Sequence, residues 1–283
     1  MKTIETLVRD IYNTISTGEG WDDDIAQWVL SNIALSFQRQ FSGSRGTERG
    51  RLRLSQLGTP CERQLYYSTN IPDNGTPLAA HTKFKFVYGD VIESLLLGLA
   101  KAAGHTVVGC QDRLEVSGVV GHRDCVIDGM LVDVKSASSF SMDKFRNGGL
   151  RSDDPFGYLS QLSSYLWASQ SDSLVTNKKE AGFLVADKTL GHIIFEVYDL
   201  TEEMSKKEEE IARKKKIVSD PLPPPKGFDE VPMGKSGNMK LDTNCSYCSF
   251  NRICWPGVRV FAYSSGPVYL TKINKEPDVF EIT

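Results

Sequence analysis

The chain has 283 residues, 40% of them hydrophobic and 24% charged, a composition that fits a globular protein and excludes a disordered or fibrous one. A formal net charge of −3 excludes a surface that is basic throughout, so a nucleic-acid partner would have to be held by local patches and metal ions. No apolar run approaches the roughly 18 residues of a membrane span, and the opening MKTIETLVRD is no secretory signal, which predicts a cytoplasmic protein with no membrane partner. In that compartment six cysteines suit thiols or metal ligands better than a disulfide framework.

Residues 3–17 and 22–40 carry helical periodicity, the second run opening on Asp22-Asp23-Asp24, acidic residues that suit a helix N-terminus. Residues 42–50 (SGSRGTERG) read as a flexible connection. In residues 51–67, Pro60 and Cys61 mark the start of a short helix. Arg51, Arg53 and Arg63, with Tyr66 and Tyr67, are of the types that follow a phosphate backbone and stack on bases. Residues 71–83 read as a loop in which His81 is a bystander. Residues 84–103 form a helix that stops at Gly104. Glu93 lies at the edge of its apolar stripe, where a carboxylate needs a partner, and is a candidate third acidic group for the patch described next. A strand over 106–116, irregular near Gln111-Asp112 and containing Cys110 as a core thiol, turns at Ser117-Gly118.

Residues 121–138 (GHRDCVIDGMLVDVKSAS) are the centre of the sequence: two apolar-alternating runs about Asp128-Gly129, the dipeptide best suited to a two-residue type I′ turn. That turn puts Asp124 opposite Asp133 and His122 opposite Lys135. It gathers His122, Asp124, Val126, Leu131, Asp133 and Lys135 on one face, and leaves Cys125, Ile127, Met130, Val132 and Val134 on an apolar one. Facing carboxylates about 4.5–5.5 Å apart at Cβ repel unless a cation lies between them, and oxygen donors of this kind suit a hard divalent ion such as Mg²⁺. Lys135 adds an ammonium to the same patch, where it could order a water or offset charge on a phosphate.

Beyond the hairpin, residues 141–150 read as a short polar helix or loop. Residues 154–169 read as a helix with Asp153 or Asp154 at its cap, Pro155 in its first turn, and Gln161 and Tyr165 on one face. Strands follow over 181–186 and 192–198, then a charged helix over 202–218 capped by Thr201. The basic end of that helix, Arg213 to Lys216, suits the helix dipole, with DNA tracking as the sharper alternative. Residues 219–244 read as a Pro-rich extended crossing. Its Gly234-Lys235-Ser236 is no phosphate loop, because Asp229 stands where a glycine is needed. Cys245, Cys248 and Cys254 form a metal-ligand pattern that wants a fourth thiolate. Cys61 is the candidate, since Cys125 faces the core side of the hairpin and Cys110 lies within a strand. Thiolates of this kind take zinc or an iron–sulfur cluster.

Taken in order, Glu93, Gly121-His-Arg-Asp124, Asp133-Val-Lys135 and Gln161-x3-Tyr165 resemble the PD-(D/E)XK nuclease superfamily in its RecB-like branch. The lone Cys61 in Ser55-x-Leu57-x3-Cys61-x-Arg63-x2-Tyr66, with the later Cys triplet, is similar to the iron–sulfur staple of AddB-type and CRISPR-adaptation nucleases. The resemblance spans about residues 51–256. It implies an α/β fold with an αβββαβ core, a [4Fe–4S] cluster on Cys61, Cys245, Cys248 and Cys254, and Mg²⁺- or Mn²⁺-dependent hydrolysis of DNA, commonly from an end. Glu93, Asp124, Asp133 and the Val134 carbonyl would hold the divalent ions, Lys135 would position the attacking water, and Gln161 would order Lys135 or a DNA phosphate, with Tyr165 of the same motif counted among the catalytic residues. His122, Arg51, Arg53 and Arg63 are the candidate DNA contacts. Many of the branch carry His near the Glu93 position, whereas lambda-type exonucleases carry Glu as here. No helicase motif is present, so strand separation would need a helicase or recombination partner or a single-stranded substrate. The expected organisation is one nuclease domain, with N-terminal helices over 1–50, the core over 51–218 and the Cys segment with its tail over 219–283. A DNA-binding module on a nuclease-like fold and a zinc-stapled endonuclease are the alternatives.

Overall fold

The computed structural model describes residues 2–41, 50–77 and 80–282, without the side chain of His81, so the expected connection over 42–50 lies, but for Gly50, outside the described residues. These fall into two compact units. One holds the described residues of Met1–Thr47, Arg53–Gly58 and Ala79–Ala212, the other those of Glu48–Leu52, Thr59–Leu78 and Arg213–Thr283. None of the described helices is long and apolar enough to cross a membrane.

The helices of the chain up to the hairpin are α1 (Leu7–Thr17), α2 (Asp23–Phe41), α3 (Glu62–Asn70) and α4 (Ala80–Ala102). All but α3 belong to the first unit. Five of its described strands form one sheet in the order β1 (Val107–Val108), β4 (Cys125–Ile127), β5 (Met130–Ala137), β6 (Glu180–Asp187), β7 (Ile193–Asp199). β2 (Arg113–Val116) and β3 (Val119–His122) pair separately. Asp128 and Gly129 both have positive φ, 48° and 82°, as a type I′ turn demands. The register follows from it: Cys125 faces Val132, Val126 faces Leu131 and Ile127 faces Met130. A Cβ on Gly129 would come 2.2 Å from Thr176 Oγ1, so the turn needs glycine for space as well as for φ.

The apolar face is the core face. Cys125, Ile127, Val132 and Val134 pack with Leu184, Ala186 and Ile193 of β6 and β7, against Leu7 and Ile11 of α1 and Leu96, Leu97 and Ala100 of α4. The other face is covered too. α5 (Ser139–Phe145) and α6 (Tyr158–Ala168) form the crossover that a parallel β5–β6 pair requires. Phe183 of β6 meets Phe145 at 5.3 Å and Tyr158 at 6.2 Å between ring centroids. Burial on both faces accounts for the unbroken apolar run of β6. The architecture is therefore α/β with a mixed sheet, as expected. Asp128 also ties the turn to the helices: its carboxylate takes the Thr106 N–H at 2.9 Å and lies 2.6 Å from Nδ1 of the buried His105.

The structure corrects several boundaries. The irregularity expected near Gln111-Asp112 is a full break in the strand over 106–116: Gln111 has φ 58°, and β1 joins the main sheet while β2 pairs with β3. Arg123 fills the break, its guanidinium bonding Gly109 O at 3.2 Å and Asp112 at 2.7 Å. α4 begins at Ala80, inside the expected loop, because residues 80–83 contain no helix breaker. α6 begins at Tyr158, not at Pro155, because Gly157 is left-handed (φ 72°); Asp154 caps it from outside, accepting the N–H groups of Tyr158 and Leu159 at 2.9 Å each. The charged helix divides into α7 (Thr201–Ser205) and α8 (Lys207–Ser219), and Asp199 rather than Thr201 accepts the first N–H.

In the second unit, α3 is joined by α9 (Thr243–Ser246), α10 (Asn251–Cys254) and an antiparallel sheet. The sheet is made of β8 (Glu230–Met233), β9 (Asn238–Leu241), β10 (Arg259–Tyr263), β11 (Gly266–Lys272) and β12 (Glu281–Ile282). Its order is β12-β10-β11-β9-β8. The expected crossing thus ends in strands, and Gly234-Lys235-Ser236 is the bend of the β8–β9 hairpin, with Gly234 at φ 61°. Arg213 ion-pairs with Glu62, and the buried Lys214 donates to Thr59 O at 3.3 Å, so the basic run is built into this unit and the DNA-tracking alternative loses two of its four cations. Gly129→Ala should destabilise the protein by about 2 kcal/mol or more, seen as a lower urea midpoint at unchanged slope.

Candidate active site

Asp133 and Lys135 project from the same face of β5 and ion-pair with each other; Asp133 is only 5% exposed. Asp124 stands one residue before β4, and its Oδ2 accepts the Val134 N–H at 2.9 Å. The ladder ends at Cys125–Val132, so Asp124 reaches β5 through its carboxylate and is not a paired strand residue facing Asp133. Glu93 comes from α4, its Oε1 accepting from Gln111 Nε2 at 2.9 Å. Three elements therefore bring three carboxylates and one ammonium together.

The charges register that crowding. Burial pushes the Asp124 carboxyl well above the usual range, and the charges of Asp133 and Glu93 add to it. Burial also pushes Glu93 up to about 7, against the bond from Gln111 and with the charges of Asp90 and Asp133. For Lys135, burial opposes the charged form, but Asp133 and Asp124 outweigh it and hold the side chain as an ammonium. The ring of Tyr158 lies 5.5 Å from Lys135 Nζ, a neighbour the sequence did not single out.

Tyr165 joins the patch. Burial, with the charges of Asp133 and Asp124, pushes its phenol up to about 12, and it hydrogen-bonds Ser55. Gly121 makes room for it: a Cβ there would stand 3.0 Å from the Tyr165 ring and 2.8 Å from Leu54 Cβ. Gln161, one turn earlier on α6, is half-buried, and no hydrogen bond joins it to Lys135 among the described residues. His122 is exposed and pairs with Arg113 of β2; it is not opposite Lys135, because the chain leaves the main sheet between His122 and Cys125. Arg123, at 2% exposure, bonds Asp172 at 2.5 Å as well as Asp112, and so pins the residue next to Asp124. Its only sequence signal was a cation beside a motif aspartate in an otherwise apolar run.

Cys61, Cys245, Cys248 and Cys254 line one cavity of the second unit, with Arg63 and Trp255. Burial pushes Cys245 up to about 11 and Cys248 up to about 12, and the neighbouring thiols raise both further. Arg63 is committed there, donating to Tyr67 Oη at 3.0 Å and to Pro224 O at 3.2 Å, which removes it from the expected DNA contacts. Arg51 and Arg53 are exposed. Cys110 and Cys125 lie in the other unit, at the sheet core. Among the described residues, no three His, Cys, Asp or Glu side chains are already gathered around one point as metal ligands. The carboxylates are instead turned toward Gln111, Val134 and Lys135.

No family model matches the sequence, and no curated protein matches it. Among solved structures, SSO0001 superposes at TM-score 0.41 and 14% identity, over 81% of this chain and 95% of that one. The alkaline exonuclease LHK-Exo of Laribacter hongkongensis superposes at TM-score 0.34 and 12% identity, over 64% of this chain and 94% of that one. Both likenesses are too loose to carry a functional conclusion, which has to come from the residues.

A carboxyl with a raised folded-state pKa lends its full stability at low pH and loses it as the pH rises through that pKa. For Glu93 the window runs from 4.5, its ordinary value, to about 7. In chelator, Glu93→Gln should melt higher than wild type above that window, with the gap closing as the pH falls through it. A gap independent of pH would contradict the burial of this charge.

Proposed function

We propose that the chain is a divalent-cation-dependent deoxyribonuclease of the PD-(D/E)XK superfamily, in its RecB-like branch. The observation that carries this is the Asp133–Lys135 ion pair next to Asp124, whose carboxylate is bonded to the adjoining Val134 N–H, with Glu93 near enough that its charge and theirs act on one another. Three carboxylates against one ammonium leave two negative charges uncompensated, the charge of one Mg²⁺ or Mn²⁺, and their oxygens are the donors such ions prefer. Glu93, Asp124, Asp133 and the Val134 carbonyl would hold the ion. When bound, it would supply Lewis-acid stabilisation of a phosphodiester under attack by water.

The protein's own part follows from where its groups stand. Lys135, held as an ammonium beside Asp133, would meet the non-bridging oxygens of the phosphodiester with its Nζ, where charge develops under attack. Asp124 keeps the β5 backbone in place through Val134 N–H, and Tyr165 packs against Gly121 to hold α6 beside the carboxylates. Gln161, half-buried on the same helix, would meet a phosphate rather than Lys135. Strand separation, where needed, would fall to a helicase or recombination partner.

The four cysteines would hold a [4Fe–4S] cluster. Four soft donors around one cavity fit it, and thiols whose pKa burial raises are costly to ionise unless a metal compensates. The cluster's contribution would be to folding, since linking Cys61 to Cys245 closes a very long loop. The same donor set fits zinc; a brown absorbance of anaerobically purified protein identifies the cluster, and a colourless protein with bound zinc corrects this part alone.

With end-labelled DNA, cleavage should require Mg²⁺ or Mn²⁺ and stop in chelator. Asp133→Asn and Lys135→Ala should each slow it about a hundredfold or more. Unchanged cleavage by Lys135→Ala would return the chain to the class of DNA-binding modules. Cys248→Ala should lower the melting temperature and soluble yield before it changes turnover per folded molecule.

A further inference from the structure

The first two turns of α4 are out of keeping with the rest of that helix. Phe84 is 68% exposed, Phe86 47% and Tyr88 46%, and Lys83 and Lys85 between them are exposed as well. Only Val87 in this stretch is buried. Neither lysine ion-pairs with a described carboxylate, and Asp90 nearby is taken by Gln40 Nε2 at 3.2 Å. Rings this large on several sides of a helix leave apolar surface in water that no described residue covers, at a cost of roughly 25 cal/mol per Å².

Their position is set by the sheet. Lys101, at the far end of α4, donates to Val107 O, and Val107 pairs with Ile127, beside the hairpin turn and opposite the first residue of β5. A Cβ on Gly89 would lie 3.5 Å from Ser136 Oγ, near the end of β5. α4 therefore runs antiparallel to β5, and residues 84–88 continue past the end where Lys135 stands; Phe84 is about 7 Å beyond Gly89 at 1.5 Å per residue. There β5 passes into α5, and Phe140 in the first turn of α5 is 77% exposed, with Lys144 Nζ 5.7 Å from its ring. Aromatic rings from two elements, with the lysines of α4, thus share the end of the sheet that carries the carboxylates.

We infer that this aromatic–lysine surface grips single-stranded DNA and that the carboxylate site therefore acts on an unpaired strand. Flat rings bind the faces of bases, and only unpaired bases offer their faces; a duplex keeps them stacked inside. Lys83 and Lys85 supply the sequence-independent contacts to phosphate that stacking lacks, Lys144 being ion-paired with Asp153 at 2.6 Å. Phe84 and Tyr88 are one helical turn apart, about 6 Å, a spacing that lets neighbouring bases of an extended strand meet separate rings. The inference rests on the nuclease reading for its direction, from platform to carboxylates, but its test does not.

Binding is measured by fluorescence anisotropy in chelator, where no cleavage occurs, with labelled oligo-dT and with a duplex of equal length. The full chain should bind the single strand at least about tenfold more tightly than the duplex. Phe84→Ala and Tyr88→Ala should each weaken it about tenfold at unchanged melting temperature, and Phe84→Trp should restore it. Lys85→Ala should lower the salt dependence of binding by about one unit in the log–log slope. Duplex bound as tightly as oligo-dT, or alanine variants that bind as wild type does, would overturn the inference. So would a dimer that Phe84→Ser disperses without loss of DNA binding, since a second copy would then be what covers the rings. Ring-dependent binding without Mg²⁺- or Mn²⁺-dependent cleavage would leave the platform standing and remove the nuclease reading instead.

Discussion

The left-handed turn at Asp128-Gly129 is the constraint from which the rest of the first unit follows. It needs two successive residues at positive φ, which Asp tolerates and Gly provides without strain. Once it forms, every side chain of β4 and β5 has its face assigned, and a slip by one residue would bury the carboxylates in the core and expose the valines. Asp128 then serves a second purpose, taking the Thr106 N–H and the buried His105, so that the turn is held from outside the hairpin. The tip of the sheet is thereby fixed to the segment that follows α4, and α4 is the helix that delivers Glu93.

Two opposing effects meet at the carboxylates. Hydrophobic burial drives the hairpin and α4 together, while the Glu93, Asp124 and Asp133 carboxylates brought in with them repel one another in a poorly hydrated space. The apolar contacts prevail because they are many, and the repulsion is relieved by Lys135, by the Gln111 amide and by a backbone N–H. Held in this way, the carboxylates of Glu93 and Asp124 are costly to ionise. The second unit has the same character in softer chemistry: four thiols line one cavity, and burial disfavours the ionisation of Cys245, Cys248 and Cys254 there.

Arg123 shows how much of a site depends on residues that touch nothing reactive. Its guanidinium, buried and bonded to Asp112, Asp172 and Gly109 O, breaks what would have been one long strand and turns the chain so that Asp124 meets β5 at Val134. Without that break His122 would face Lys135 on the ladder. A buried guanidinium with two carboxylate partners is stable only as a set, since removing either partner leaves a charge uncompensated.

Local chemistry made the hairpin, its register, the core face and the four-cysteine pattern legible from the residues alone, because period-two alternation, an Asp-Gly turn and thiol spacing act over a few neighbours. Helix starts were legible where the cap adjoins its helix, as at Asp22 and Asp23, and were misplaced where a left-handed Gly157 stands between Asp154 and α6. The parting of β1 and β2 into different sheets, the close approach of Tyr165 to Gly121, the placement of Tyr158 under Lys135 and the β-sheet that ends the chain were decided only in the tertiary structure. Each depends on a partner far away in sequence: a guanidinium needs its distant carboxylates, a glycine its distant ring, and a short strand its neighbours. Sequence determines which faces a segment offers, and packing decides which of them meet.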